Sequence, residues 1–307
     1  MAETISLVNT WLKFLGKQGR SLHTLKAYER AWQHLSAWYE THYAESCDPN
    51  RLIGRDIRDW KSYQQVVERA APSTINQRLT AISTFYSWAM SKNKVDHNPS
   101  IEIKPIRLHK NRPKSLSTKQ LRQLLRAVHS SGSLRAIAMI ELLVGTGVRV
   151  GELVKLQVDD LTLKSRSGWI TVREGKNDSY REIPLTKEVR VAISNYLELH
   201  PYNLEDHEQY QNSYSPLWWG KQGPLVHRSS VLRMLNKYAQ HAQLESLGPH
   251  ILRHTFATQY LQANPEDLRG LAALLGHSNL NTVMVYTEPT RQDLTSRLER
   301  MSQLPVG

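Results

Sequence analysis

Through residues 4–92, apolar side chains recur three and four positions apart, the spacing that gathers them on one face of an α-helix. TISLVNTWLKFLGKQG sets Ile5, Val8, Leu12 and Leu15 on one stripe and closes in a glycine turn. SLHTLKAYERAWQHLSAWYETHY opens on a serine and aligns Leu25, Tyr28, Trp32, Leu35 and Tyr39. GRDIRDWKSYQQVVERA predicts a third helix. PSTINQRLTAISTFYSWAMSK predicts a fourth, starting at Pro72 with Ser73 or Thr74 as its cap. Four short helices joined by brief loops make a small bundle. Its aromatic residues keep the helical period, which assigns them to the core rather than to base stacking.

Residues 98–115 (NPSIEIKPIRLHKNRPKS) break the pattern. Prolines and an excess of basic side chains predict an extended, charged linker between domains at 1–97 and 116–307. Helical spacing then returns. LSTKQLRQLLRAV begins with the capping box Ser117 and Gln120, SLRAIAMIELLVGTG reads as a buried helix ended by Gly145 and Gly147, and VRVGELVKL reads as another. At SGWITVREGKNDSYREIPL the period changes to two. Ile170 and Val172 mark one strand, Ile183 and Leu185 the next, and GKNDS the hairpin turn. Further helices are predicted at about 187–198, 228–243, 250–262 and 266–275, with the irregular stretch 200–224 left without a role. The fold class is mainly α with a small β-sheet: a helical-bundle N-terminal domain followed by an α+β domain.

Charge adds a partner class. The 307-residue chain has a formal net charge of +12, with 16 basic against 10 acidic residues in 1–110 and 24 against 18 in 111–307. Both halves are basic, which suits a polyanion lying across both and a binding strength that falls with salt. A merely soluble basic protein fits the charge equally well. One cysteine, Cys47, excludes an internal disulfide and a cysteine zinc site and fits a reducing cytosol. The N-terminus lacks the pattern of a secretory signal, and no apolar run approaches the roughly 18 residues of a membrane span, so the expectation is a cytoplasmic protein without a membrane partner.

Four segments carry candidate chemistry: TGVRVGEL with Arg149, REGKNDSYREIPL with Lys176, PHILRHTFAT with His250 and Arg253, and LLGHSNLNTVMVYTEP with His277 and Tyr286. A tyrosine can cleave DNA by transesterification, conserving bond energy in a phosphotyrosine. Arginine forks suit the charge that gathers on a phosphoryl group under attack. A lysine desolvated beside DNA can protonate a departing oxygen. Glu152, one helical turn after Arg149, can hold its guanidinium. Locally each has a plainer reading: a packing tyrosine, a surface ion pair, a solvated turn lysine. Gly145, Gly147 and Gly151 are one residue too widely spaced for a dinucleotide fingerprint, and no HExxH or paired-cysteine pattern calls for a metal or another cofactor.

The four segments, in this order, resemble the signature boxes of the tyrosine recombinases, the phage-integrase-type family that includes the Xer proteins. The resemblance covers nearly the whole catalytic half. It implies a site-specific DNA recombinase that works without metal or ATP through a 3′-phosphotyrosine and a four-way junction. It also implies catalytic roles for Arg149, Lys176, His250, Arg253, His277 and Tyr286, with Glu152 in support. His250 resembles the acceptor of the tyrosine proton, His277 the group that hydrogen-bonds the scissile phosphate, and Lys176 the proton donor. Residues 1–97 resemble the family's core-binding, SAM-like domain, and the expectation is a simple, Xer-like or transposon-resolving member without the arm-binding domain of many phage integrases. The implied partners are a double-stranded DNA recombination site and other copies of the chain, a dimer per site and a homotetramer on paired sites. An amphipathic helix at about 290–307, with Leu294, Leu298 and Met301, would dock on the neighbouring subunit. Val283 departs from the family by standing where many relatives have threonine. A type IB topoisomerase and a non-cleaving DNA-binding protein are the alternatives.

Overall fold

In the computed structural model the chain divides into two compact units, Met1–Asn111 and Arg112–Gly307. The structure describes residues 2–107, 114–173, 180–199, 215–220, 223–225, 227–245 and 247–276, together with Met284 and Thr295. The expectations for Lys176, His277, Tyr286 and its short helix, and the docking helix at about 290–307 lie, but for Met284 and Thr295, outside the described residues.

Among its described residues the first unit contains four helices, α1 (Ala2–Lys17), α2 (Leu22–Tyr43), α3 (Gly54–Val66) and α4 (Pro72–Ser91). Ser21 caps α2 by accepting the Thr24 N–H at 3.1 Å. The cap expected for α4 is corrected: Ala71 occupies that position and no side chain caps it. Pro72 is the first helical residue, where its fixed φ favours the helix and its missing N–H costs nothing. Trp11, Trp32, Leu35, Trp60, Phe85 and Tyr86 fill the core. Trp11 stacks on Tyr28 at 5.4 Å and meets Phe85 edge-on at 5.5 Å, so the aromatic stripes are core, as their period requires. Residues 98–106 of the basic segment are held against this unit. Asn76 bonds both the N–H and the carbonyl of Ile106 at 2.8 Å, and the Lys61 ammonium donates to the Lys104 carbonyl at 2.8 Å.

The second unit builds a helical core around a small sheet. Its elements are α5 (Thr118–His129), α6 (Leu134–Thr146), α7 (Val150–Leu153), β1 (Leu161–Leu163), β2 (Gly168–Arg173), β3 (Tyr180–Pro184) and α8 (Lys187–Leu197), then β4 (Trp219–Gly220), β5 (Gly223–Pro224), α9 (Arg228–His241), α10 (Pro249–Ala263) and α11 (Leu268–Leu275). The Ser117–Gln120 capping box forms as expected. The sheet runs β1-β2-β3, all antiparallel, with Ile170 opposite Ile183 and Val172 opposite Arg181. The pattern missed β1, whose three residues are too few to show an alternation. The helix expected at 148–156 shrinks to Val150–Leu153, with Arg149 as its extended N-cap residue. Gly145 lies inside α6, and only Gly147 ends it, in the left-handed region at φ 63°. α6 is buried against α5, α8 and α10, and Ile137, Met139, Ile140, Leu142 and Leu143 supply the centre of the core. Among the described residues, no helix is long and apolar enough to cross a membrane.

Candidate active site

Gly147 sets the site by turning the chain at the end of α6. A β-carbon there would sit 2.9 Å from Leu275 Cδ2 and closer still to the Phe256 ring, so glycine is required both for the positive φ and for the close approach of α10 and α11. Two residues later, Arg149 begins α7. Its backbone N–H donates to Glu152 Oε2 at 2.7 Å and its Nη1 to Glu152 Oε1 at 2.8 Å. The carboxylate therefore caps the helix and holds the guanidinium with the same two atoms, as the spacing of the pair suggested. Arg149 Nη2 also reaches the Gly276 carbonyl at 3.5 Å. The arginine side chain remains 41% exposed, which leaves a charged edge for a ligand.

Arg253 is placed differently. It lies on the buried side of α10 at 5% exposure, and its Nη1 and Nη2 donate to the Gly147 and Leu275 carbonyls, both at 2.7 Å. The carbonyl at residue 275 and the carbonyl at residue 276 thus each receive an arginine. Gly276, left-handed at φ 64°, ends α11. The two arginines converge there, in the turn that precedes His277. His250 stands exposed in the first turn of α10, one turn before Arg253. His254, partly buried, has its pKa lowered by desolvation first and then by the nearby His250 and Arg253 charges.

A cleft of about 860 Å³ opens over α7, lined by Arg149, Glu152, Lys155, Arg173, Arg228 and His250 among others. Arg173 Nε is held at 2.8 Å by the buried Asp160, which also accepts the Gln157 N–H at 2.9 Å. Gly151 makes room for Arg228: a β-carbon there would lie 2.8 Å from the Arg228 Cζ. The cleft carries more cations than carboxylates, an arrangement suited to a phosphodiester.

Sequence reasoning missed three parts of this site. Arg173, Arg228 and Lys155 carried no local signal. Arg181 did: it shares the parity of Ile183 and Leu185, and a charged residue at an inward position of a strand needs a partner. That partner is Glu152, reached by Arg181 Nη2 at 2.8 Å and Nη1 at 3.2 Å, while Arg181 Nε donates to the Leu274 carbonyl at 2.9 Å. Burial pushes the Glu152 carboxyl up, but hydrogen bonds from Arg181 and Arg149 and the Arg181 charge outweigh it and hold the pKa below the usual range. The third part is the end of the stretch left without a role. Trp218, buried, donates to the Leu153 carbonyl at 2.7 Å, and the Leu217 N–H donates to the Leu156 carbonyl at 2.8 Å. This strap receives the carbonyls at the end of α7, a helix too short to satisfy its own.

Residues 114–293 match the phage integrase family, and residues 7–94 match the phage integrase N-terminal SAM-like domain. Among relatives, the tyrosine recombinase XerD of Listeria innocua is 32% identical over 289 residues, covering 93% of this chain and 94% of the relative. The tyrosine recombinase XerC of Alcanivorax borkumensis is 31% identical over 304 residues, covering 95% and 92%. Among solved structures, XerH site-specific recombinase bound to its difH substrate in a pre-cleavage complex aligns with a TM-score of 0.70 at 23% identity, over 95% of this chain and 83% of that one. A lambda integrase dimer bound to a COC′ core site aligns with a TM-score of 0.69 at 17% identity, over 92% and 76%. At these identities the structural likeness speaks for the fold: a helical N-terminal domain joined to a mainly helical catalytic domain with a small sheet. The family matches and the relatives, which span nearly the whole chain, speak for more. The chain belongs to the phage integrase family and is a tyrosine recombinase.

Proposed function

We propose that the protein is a site-specific DNA recombinase that cuts and rejoins duplex DNA with Tyr286 as nucleophile. The observation that carries this reading is the convergence of Arg149 and Arg253 on the consecutive carbonyls of Leu275 and Gly276, at the mouth of a basic cleft that also holds His250. In this reading both arginines, with His277, bind the nonbridging oxygens of the scissile phosphate. His250 takes the phenolic proton as the Tyr286 oxygen attacks phosphorus. The bond from phosphorus to the 5′ oxygen breaks, Lys176 protonates that oxygen, and a 3′-phosphotyrosine and a 5′ hydroxyl result. A 5′ hydroxyl from the partner duplex then attacks the phosphotyrosine and releases Tyr286, so the exchange needs neither ATP nor metal and passes through a four-way junction.

Residues 1–97 serve as the core-binding DNA domain, 98–115 as the basic linker and 116–307 as the catalytic domain. Two copies occupy each site and four assemble on paired sites, the helix at about 290–307 docking on the neighbouring subunit. The XerH complex with its difH substrate and the lambda integrase dimer on a COC′ core site support a recombination site as the partner. In this reading the protein acts in the cytoplasm, which its single cysteine suits. The test uses a duplex selected from a random pool on the wild-type protein, nicked at successive positions so that cleavage releases a short fragment and traps the enzyme. Covalent attachment by wild type and none by Tyr286→Phe is the expected result. Retention of DNA binding with no attachment at any nick would leave a DNA-binding protein without cleavage.

A further inference from the structure

Arg149 and Glu152 raise an electrostatic difficulty. A carboxylate that holds an arginine within hydrogen-bond distance also cancels its charge, and a neutral pair is a poor trap for a phosphate. The buried Arg181 side chain removes the difficulty. It is 9% exposed, against 15% for Glu152 and 41% for Arg149, so it meets the carboxylate from the protein side while Arg149 faces the cleft. Both Glu152 oxygens are shared. Oε1 accepts from Arg149 Nη1 and Arg181 Nη1, and Oε2 accepts from the Arg149 backbone N–H and Arg181 Nη2. The three side chains together carry one net positive charge rather than none. Arg181 Nε also bonds the Leu274 carbonyl, next to the carbonyls of Leu275 and Gly276 that receive Arg253 and Arg149.

We propose that Arg181 is a positioning residue for phosphate binding: it neutralises Glu152 from behind, leaving the charge of Arg149 for the scissile phosphate, and it ties the α7 turn to the end of α11. The assignment to a scissile phosphate rests on the recombinase reading, but the charge balance does not.

The test separates charge from structure. Inorganic phosphate is titrated into wild type, Arg181→Met, Arg181→Lys and the double variant Arg181→Met with Glu152→Gln, following the side-chain nitrogen resonance of Arg149, assigned by its absence in Arg149→Lys. Loss of one nearby charge should weaken phosphate binding roughly tenfold in Arg181→Met. Arg181→Lys, which keeps the charge, should stay near wild type. Removing the Glu152 charge as well should restore affinity, whereas a purely structural role would make the two losses add. Should Arg181→Met fail to fold, Glu152→Gln alone decides the matter, because two uncancelled guanidiniums should bind phosphate more tightly than wild type. Equal affinity in wild type and Arg181→Met, no rescue in the double variant, or no gain in Glu152→Gln overturns the proposal. A second readout is covalent capture on duplexes whose cleaved phosphate is either a phosphodiester or a neutral methylphosphonate. The defect of Arg181→Met should be large on the first and small on the second; equal defects on both contradict the charge role. Failure of wild type to attach to either DNA, with the phosphate pattern intact, counts against the recombinase reading alone.

Discussion

Arg149 and Arg253 end on adjacent carbonyls of one turn, Gly276 for the first and Leu275 for the second. One arginine caps a four-residue helix and the other sits inside a long one, yet the left-handed end of α11 gathers both. Arg253 is buried and tied to two carbonyls, so beside the phosphate binding proposed for both arginines it also holds the turn in place, while Arg149 lies more open to the cleft.

Arg253→Lys should therefore cost both stability and chemistry. Lysine cannot span the Gly147 and Leu275 carbonyls together, and one buried acceptor left without a donor costs about 1–3 kcal/mol. Denaturant melts should show a loss of that size, and covalent capture on nicked DNA should slow by on the order of a hundredfold. An unchanged melting curve would show that the two carbonyl bonds do not hold the turn.

Gly147→Ala should be among the most damaging small substitutions in the catalytic unit. The backbone is left-handed there, and the added methyl meets Phe256 and Leu275. Strain and overpacking together should destabilise by at least about 2 kcal/mol, read from urea unfolding. A loss near zero would mean that α10 and α11 pack less closely than described.

Glu152 sets an acid limit on the fold. Its folded pKa lies below the ordinary glutamate value, so its contribution is fully present above the unfolded pKa and is lost as pH falls through the depressed folded value. Thermal melts of wild type should fall through this acid window, and Glu152→Gln, which does not titrate, should show a shallower decline. Parallel curves would remove Glu152 from the acid response.

Trp218→Phe tests the strap beneath α7. The substitution keeps most of the buried ring but removes the donor to the Leu153 carbonyl. The loss should be about 1 kcal/mol in stability. Because Leu153 ends the helix that Arg149 begins, the rate of covalent capture should drop while DNA affinity holds. A drop in affinity with an unchanged rate would place the strap outside the active site.

Much of this architecture is legible in the sequence wherever its cause is local. The period of Val8, Leu15, Trp32 and Leu35 points to the first bundle's core, and the Ser117–Gln120 box marks the start of α5. The spacing of Arg149 and Glu152 gives their contact, because one turn of helix dictates it. What depends on distant chain was not legible. Trp218 packs beneath α7 through hydrogen bonds to residues far away in sequence, so its own surroundings look irregular. The sharing of Glu152 with Arg181 needs the sheet register as well as the helix. α7 itself is shorter than its apolar pattern suggests, because the strap and the turn after Leu156 replace helical bonds with long-range ones.

The proposed reaction has the Tyr286 phenol oxygen attack phosphorus in the basic cleft. Its most direct measurement is peptide mapping, by mass spectrometry, of the covalent complex trapped on nicked DNA. The expected result is a nucleotide on the peptide containing Tyr286, absent in Tyr286→Phe. A nucleotide on a serine or on another tyrosine would contradict the account, even if DNA were cut.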